Sequence, residues 1–208
     1  MAPGNGKFVT TMEELMGLYE APSDVSTAKE IDHVSDHYRA FIEAAPFFAL
    51  ATAGPDGLDC SPRGDAPGFV RVADPKTLMV PDRRGNNRID SLRNIMHDPR
   101  VALLFLIPGI GETIRVVGHA ALAIDPDLLA SFTVNGKAPG CVIVVTVEHV
   151  FYQCTKAIVR SKLWDPARHV DRKSLPTTGA ILAAHTAGRL GGEAHDRGQL
   201  ERTMAKLY

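Results

Sequence analysis

The sequence is short of the features that would assign it quickly. It has three cysteines in 208 residues, Cys60, Cys141 and Cys154. Their odd number and wide spacing fit neither a disulfide framework nor a CxxC metal site, so reduced thiols in a cytoplasmic protein are expected. It has no charge excess, with a formal net charge of -1, and nothing global selects nucleic acid or an anionic membrane as partner. It has no long apolar run: residues 101–107 and 142–145 are the longest and are too short to cross a bilayer. Met1 to Lys7 lead into no apolar stretch, so no signal peptide is expected. There is no nucleophile elbow, no HExxH and no P-loop. Gly109-Ile-Gly111 is too short for a dinucleotide fingerprint. His33 and His37 have i,i+4 spacing but no third ligand at a matching interval, so no metal is expected. Any anion site must therefore be a local cluster.

What is present suits one sizeable core with terminal extensions, with 45% hydrophobic and 23% charged residues. Two capping boxes, Thr11-Met-Glu-Glu14 and Thr27-Ala-Lys-Glu30, open helical patterns. The second is followed by an apolar stripe from Ile31 to Ala45, which predicts an amphipathic helix over 28–45. Strands are predicted at 47–52, 58–61, 69–72, 77–80, 101–106, 113–123, 142–147 and 150–160. Gly54-Pro-Asp-Gly57 turns the first pair, and the apolar 101–106 run predicts a strand buried on both faces. A helix is expected from Asn86 to Met96, another at 125–132, and two short ones in the tail. Hairpin-length connections favour an antiparallel barrel with peripheral helices over a doubly wound sheet.

Three clusters carry chemistry. Pro81-Asp-Arg-Arg-Gly-Asn-Asn-Arg-Ile-Asp90 lies between a strand and a helix, with Asn86 as candidate N-cap and Arg83, Arg84 and Arg88 close by. Open helix amides, the helix dipole and guanidinium groups suit a phosphate dianion. An arginine-rich surface loop with a capping Asn is an equal alternative. Cys60-Ser-Pro-Arg-Gly-Asp65 forms a sharp bend that aims Ser61 and Arg63 at a ligand, or a solvated turn with an Arg–Asp pair. In Lys156-Ala-Ile-Val-Arg-Ser-Lys-Leu-Trp164, a strand would put Lys156 and Arg160 on one face. Trp164, the only tryptophan, would wall a flat ring or simply pack. Arg115 and His119 share a strand face, with a structural role favoured for the histidine.

In this order, Ser61-Pro-Arg-Gly-Asp65, Arg83-Arg-Gly-Asn-Asn-Arg88, Asp98-Pro-Arg-Val-Ala-Leu-Leu-Phe105, Glu112-Thr-Ile-Arg-Val-Val-Gly-His119 and the late Lys156…Trp164-Asp-Pro166 resemble the pyridoxamine 5′-phosphate oxidase-related, FMN-binding proteins of the split-barrel superfamily. The resemblance spans about residues 28–190. It implies a mainly β fold with peripheral helices, a six-stranded antiparallel split barrel, and a homodimer with FMN at the subunit interface. It also implies a helical extension at 1–45, the barrel at 46–165 and a helical tail at 166–208 packed on the barrel.

By the resemblance, Arg83, Asn86, Asn87 and Arg88 grip the flavin phosphate, and Ser61 and Arg63 lie beside the cofactor. Lys156, Arg160, Ser161 and Trp164 edge the pocket from either subunit. The C-terminal Arg-Leu-x-Pro of true pyridoxamine phosphate oxidases is missing, which argues against that substrate and leaves FMN binding untouched. The function implied is an FMN-dependent oxidoreductase acting on a small molecule, with NAD(P)H as a candidate donor. A non-catalytic flavin carrier or sensor, or a split barrel using deazaflavin F420, is the alternative.

Overall fold

The computed structural model describes residues 8–208, and the chain divides into two compact units between Glu30 and Ile31. The first holds α1 (Met12–Met16) and α2 (Asp24–Ala28). Thr11 caps α1 as its capping box predicts, its hydroxyl accepting from the Glu14 amide at 3.1 Å. Neither helix buries a residue.

The second unit is built on a seven-stranded antiparallel sheet. Its strands are β1 (Phe47–Gly54), β2 (Gly57–Gly64), β3 (Arg71–Asp74), β4 (Thr77–Pro81), β5 (Arg100–Leu106), β6 (Thr113–Ala123) and β7 (Val142–Gln153). Their order across the sheet is β2-β1-β5-β6-β7-β4-β3. The strand count is seven where six were expected. The Asp74 carboxylate accepts from the Lys76 amide at 2.7 Å, and this tight turn lets a four-residue β3 pair with β4.

β2 and β3 are the sheet's edges, yet the sheet curls until β2 meets the end of β4. Arg63 bonds Asp82 across that seam at 2.5 Å, and Phe48 stacks on Phe69 with centroids 5.9 Å apart. The result is an antiparallel barrel split along one side. Its core is Phe48, Leu50, Leu78, Leu103, Phe105, Ile114, Val116, Ile143 and their neighbours, all essentially buried.

Three expectations are corrected. The helix predicted over 28–45 is broken, and only α3 (Asp36–Ala44) is helical after Ala28. Ile31 instead pairs with Val150 through two backbone bonds, and the Val34 amide donates to Pro75 O at 2.7 Å, so these groups are taken by the sheet. Ser35 then caps α3, which puts Ile42 into the barrel core; α3 therefore belongs with the barrel, not with the preceding helices.

β5 alternates rather than being buried on both faces: Val101, Leu103 and Phe105 are buried while Ala102, Leu104 and Leu106 are half-buried. The two strands predicted at 142–147 and 150–160 are one strand, β7, which continues past a bulge where its register with β6 shifts between Val117 and Gly118.

α4 (Asp90–His97) crosses from the β4 side to β5, and α5 (Pro126–Ser131) follows β6, capped by Asp125. α6 (Lys156–Ser161) follows β7 directly, and α7 (Thr178–His185), α8 (Glu193–Asp196) and α9 (Gln199–Met204) form the tail. No described helix is long and apolar enough to cross a membrane.

Candidate functional site

β2 departs from the binary pattern of its neighbours. On β1 the core-facing residues are Phe48, Leu50 and Thr52. Their direct partners on β2, which share that face, are Arg63, Ser61 and Asp59. Three polar side chains thus stand where the apolar wall would continue, and a sheet face of that kind requires polar partners or a ligand. Asp59 finds one in Ser91 at the start of α4, whose hydroxyl donates at 2.9 Å from a residue only 2% exposed. Arg63 finds another in Asp82, both side chains 18% exposed. The Nε of Arg63 is buried and has no hydrogen-bond partner among the described residues.

Facing β2 is the segment from Asp82 to Ile89. Its first residue is nailed down by the backbone, Asp82 N donating to Cys141 O at 2.9 Å and Gly140 N to Asp82 O at 3.3 Å. Arg83 turns away to Asp65 (2.7 Å) and the Phe132 carbonyl (2.6 Å). Arg84 has no hydrogen-bond or ion-pair partner among the described residues and is exposed.

Asn87 and Ile89 both adopt left-handed backbone, at φ 61° and 52°. Asn tolerates this conformation, but for β-branched Ile it is a genuine outlier that costs on the order of 1–3 kcal/mol. This kink corrects the predicted helix start. Asn86 is not the N-cap of α4; its side chain accepts from the Arg88 amide at 3.0 Å, a local turn. The helix begins four residues later, at Asp90, behind Ile89, which provides no side-chain cap. The first amides of α4 therefore lack a side-chain acceptor, and the positive end of the helix faces the loop.

Between β2 and this loop lies a cavity of about 1050 Å³. Its polar side carries Ser61, Arg63, Asp82, Arg84, Asn86 and Arg88; its apolar side carries Phe69, Leu92, Met96, Leu122 and Ile124. Cys141 also lines it, and burial, reinforced by the Asp82 charge and only partly offset by Arg63, pushes its thiol up to about 11. It stays protonated at neutral pH and is not a nucleophile.

Six of the ten residues singled out from the sequence, Ser61, Arg63, Arg83, Asn86, Asn87 and Arg88, line this one cavity. Within it Arg88 is paired with Asp90 at 2.7 Å and is largely exposed. The other four do not line it. Lys156, Arg160 and Ser161 lie on helix α6 rather than on a strand, all exposed, and Trp164 follows it. Ile158 and Val159 are strand-forming residues, but the chain turns helical at Thr155 and docks on the β5–β6 connection instead. There Gly111 leaves room for Thr155, whose Cγ2 lies 2.7 Å from where a Cβ would stand, and the Trp164 indole donates to Ile110 O at 2.7 Å.

Arg115 lies over Phe151 at 5.2 Å and His119 pairs with Glu148 at 3.0 Å, a structural arrangement away from the cavity. Among the described residues no cluster of metal-ligating side chains occurs. Sequence reasoning missed Asp59, Asp82 and Ser91. The signal for Asp59 was available in the period-2 alternation Asp59, Ser61, Arg63 along β2.

A family model described as pyridoxamine 5′-phosphate oxidase matches residues 34–154. No curated protein matches significantly. Similar solved structures include HupZ of Group A Streptococcus, at 19% identity over 58% of this chain and 94% of that one, with a TM-score of 0.47. A protein titled a putative pyridoxamine 5′-phosphate oxidase from Lactobacillus delbrueckii is 21% identical over 58% and 99%, with a TM-score of 0.43. One titled an FMN-binding protein from Syntrophomonas wolfei is 12% identical over 55% and 82%, with a TM-score of 0.43.

Proposed function

Since the chain belongs to the pyridoxamine 5′-phosphate oxidase family through residues 34–154, we propose that the cavity between β2 and the 82–89 loop holds FMN and that the protein is an FMN-dependent oxidoreductase acting on a small molecule. The observation that carries this is the buried Nε of Arg63, a donor on the cavity wall without an acceptor among the described residues. A buried, unpaired donor of this kind costs about 1–3 kcal/mol unless a ligand satisfies it.

The residues fit the group. The volume suits a cofactor of FMN size, with one apolar wall for a flat ring and one cationic side for a phosphate. Arg84, the Asn86 side chain and the open amides of α4 are the donors for the phosphate, and Arg88 and Asn87 complete the loop around it. Arg83, occupied by Asp65 and Phe132, anchors that loop instead of reaching into it. A compact cluster of donors at one helix start suits a phosphomonoester better than the long polyanionic tail of F420.

The bound flavin supplies the hydride or electron chemistry. The chain's part is to bind and orient. Asp82 holds Arg63 in place, and Arg63 keeps a positive charge on the β2 side of the cavity. Leu92 and Leu122, partly buried against the core, give the apolar wall its dry part. No side chain is needed as nucleophile, and the protonated Cys141 thiol is consistent with that.

The protein works as a homodimer in this proposal. Met96 and Ile124 on the cavity lining each stand 73% exposed, an apolar rim suited to a second copy. Lys156, Arg160, Ser161 and Trp164 would then reach the cofactor edge from the partner.

Mass spectrometry of the chromophore released from native protein, followed by anaerobic stopped-flow mixing with NADH and NADPH, tests the proposal. FMN and rapid bleaching of its absorbance are expected. A colourless protein that ignores added FMN would overturn the assignment, and bound FMN that no donor reduces would make the protein a flavin carrier.

A further inference from the structure

The 84–89 loop has no described hydrogen bond to the rest of the barrel; its bonds run within itself and into α4. Its position is set by its two ends. One end is α4. The other is Asp82–Arg83, Asp82 held by its backbone bonds to Cys141 and Gly140 and Arg83 by Asp65 at Nε and the Phe132 carbonyl at Nη1.

That second anchor is completed from far away in the chain. The hydroxyl of Tyr208 donates to Asp65 Oδ1 at 2.7 Å, 143 residues apart in sequence. The Tyr208 ring lies 5.6 Å from the Arg83 guanidinium, and Lys137 Nζ donates to the Tyr208 backbone oxygen at 2.7 Å. Asp65 is only 4% exposed as a side chain, so one of its oxygens serves Arg83 and the other serves Tyr208 and the Ala66 amide. The tail segment beyond α9 is thus tied to the barrel through one aromatic residue that touches the loop's anchor and not the cavity.

We infer that Tyr208 is a positioning residue for the anion-binding loop: by closing over the Asp65–Arg83 pair it fixes where Arg84 and the start of α4 stand, and so couples docking of the tail to phosphate affinity. The inference rests on the cavity being the FMN site. Its logic is local. A carboxylate that accepts a hydrogen bond from a phenol and another from a guanidinium has both partners fixed in direction. Removing the phenol leaves Asp65 oriented only by the Ala66 amide and Arg83, so the Arg83 anchor loosens beside the Asp82 backbone bonds, which remain.

The test uses FMN and riboflavin, which differ by the phosphate alone, titrated into the full chain and into Tyr208→Phe and Tyr208→Ala by flavin-fluorescence quenching. Loss of one hydrogen bond to a charged group predicts FMN affinity weaker by about tenfold or more in Tyr208→Phe. Tyr208→Ala loses at least as much. Riboflavin affinity stays unchanged in both, a selectivity that a general loosening of the fold would not produce. Equal losses for both flavins, or no loss for either, overturns the inference. If the unaltered protein itself fails to bind FMN, it is the assignment of the cavity that fails, and the two failures are therefore distinguishable.

Discussion

At the residue scale, phosphate binding depends on which arginines are free. Five line the cavity, and their partners sort them: Arg83 is bound to Asp65 and Phe132, Arg88 to Asp90, Arg63 to Asp82 through Nη1 only, while the side chains of Arg84, on the loop, and Arg93, on α4, have no partner among the described residues. Arg84→Ala is expected to weaken FMN binding by about tenfold or more, the worth of a charge-assisted hydrogen bond, while leaving thermal stability within about 0.5 kcal/mol. Isothermal titration and a melting curve check both halves. Arg63→Ala also weakens FMN but lowers stability too, because it strands Asp82 in a half-buried position.

Ile89 offers a converse prediction. Ile89→Gly relieves the left-handed strain at φ 52° and raises the melting temperature by about 2–4 °C, for roughly 1 kcal/mol gained. An unchanged or lower melting point would mean that the strain relieved is no larger than the entropy glycine adds to the unfolded chain. Asp65 provides the pH dependence. Burial raises its pKa, but bonds from Tyr208, the Ala66 amide and Arg83 outweigh that, and the net shift is downward. Its stabilisation is therefore complete above the unfolded value of about 3.9 and is lost as pH falls through the lower folded value. Asp65→Asn should flatten that part of the acid limb in a pH series of melting temperatures.

At the scale of elements, strands were more legible than helices. β1, β4, β5 and β6 lie within two residues of where alternation and turn residues place them, because each has a buried face that fixes its register. The helix over 28–45 was misplaced because a local signal, the Thr27–Glu30 capping box, lost to a distant one: residues 31 and 34 give their backbone bonds to β7 and Pro75. α6 was misread as a strand for a related reason, since β-branched Ile158 and Val159 sit on a helix whose start is set by packing of Thr155 on Gly111.

The candidate site was legible in its cluster of residue types, which the fold does gather. It was not legible in pairing, since nothing in the sequence says that Asp65 would claim Arg83 and leave Arg84. Gly118 marks a further element-scale constraint. A methyl group there would run into the Thr146 carbonyl oxygen at the β6–β7 bulge. Gly118→Ala should cost more than about 2 kcal/mol, and a denaturant midpoint unchanged from the parent would contradict the bulge as described.

At the scale of the whole molecule, the split barrel opens one seam between β2 and the β4 end, and the polar face of β2 lines the cavity there. The exposed rim residues Met96 and Ile124 are expected to lie in a dimer interface, so light scattering should report twice the chain mass, and Met96→Glu should shift it toward the monomer. In the proposed site the loop after β4 clamps a phosphate. The most direct measurement is the ratio of FMN to riboflavin affinity for the unaltered protein. Two charge-assisted contacts, at about 1.5–3 kcal/mol each, predict that FMN binds at least about 100-fold more tightly. Equal affinities would contradict it, because the cationic loop would then hold nothing.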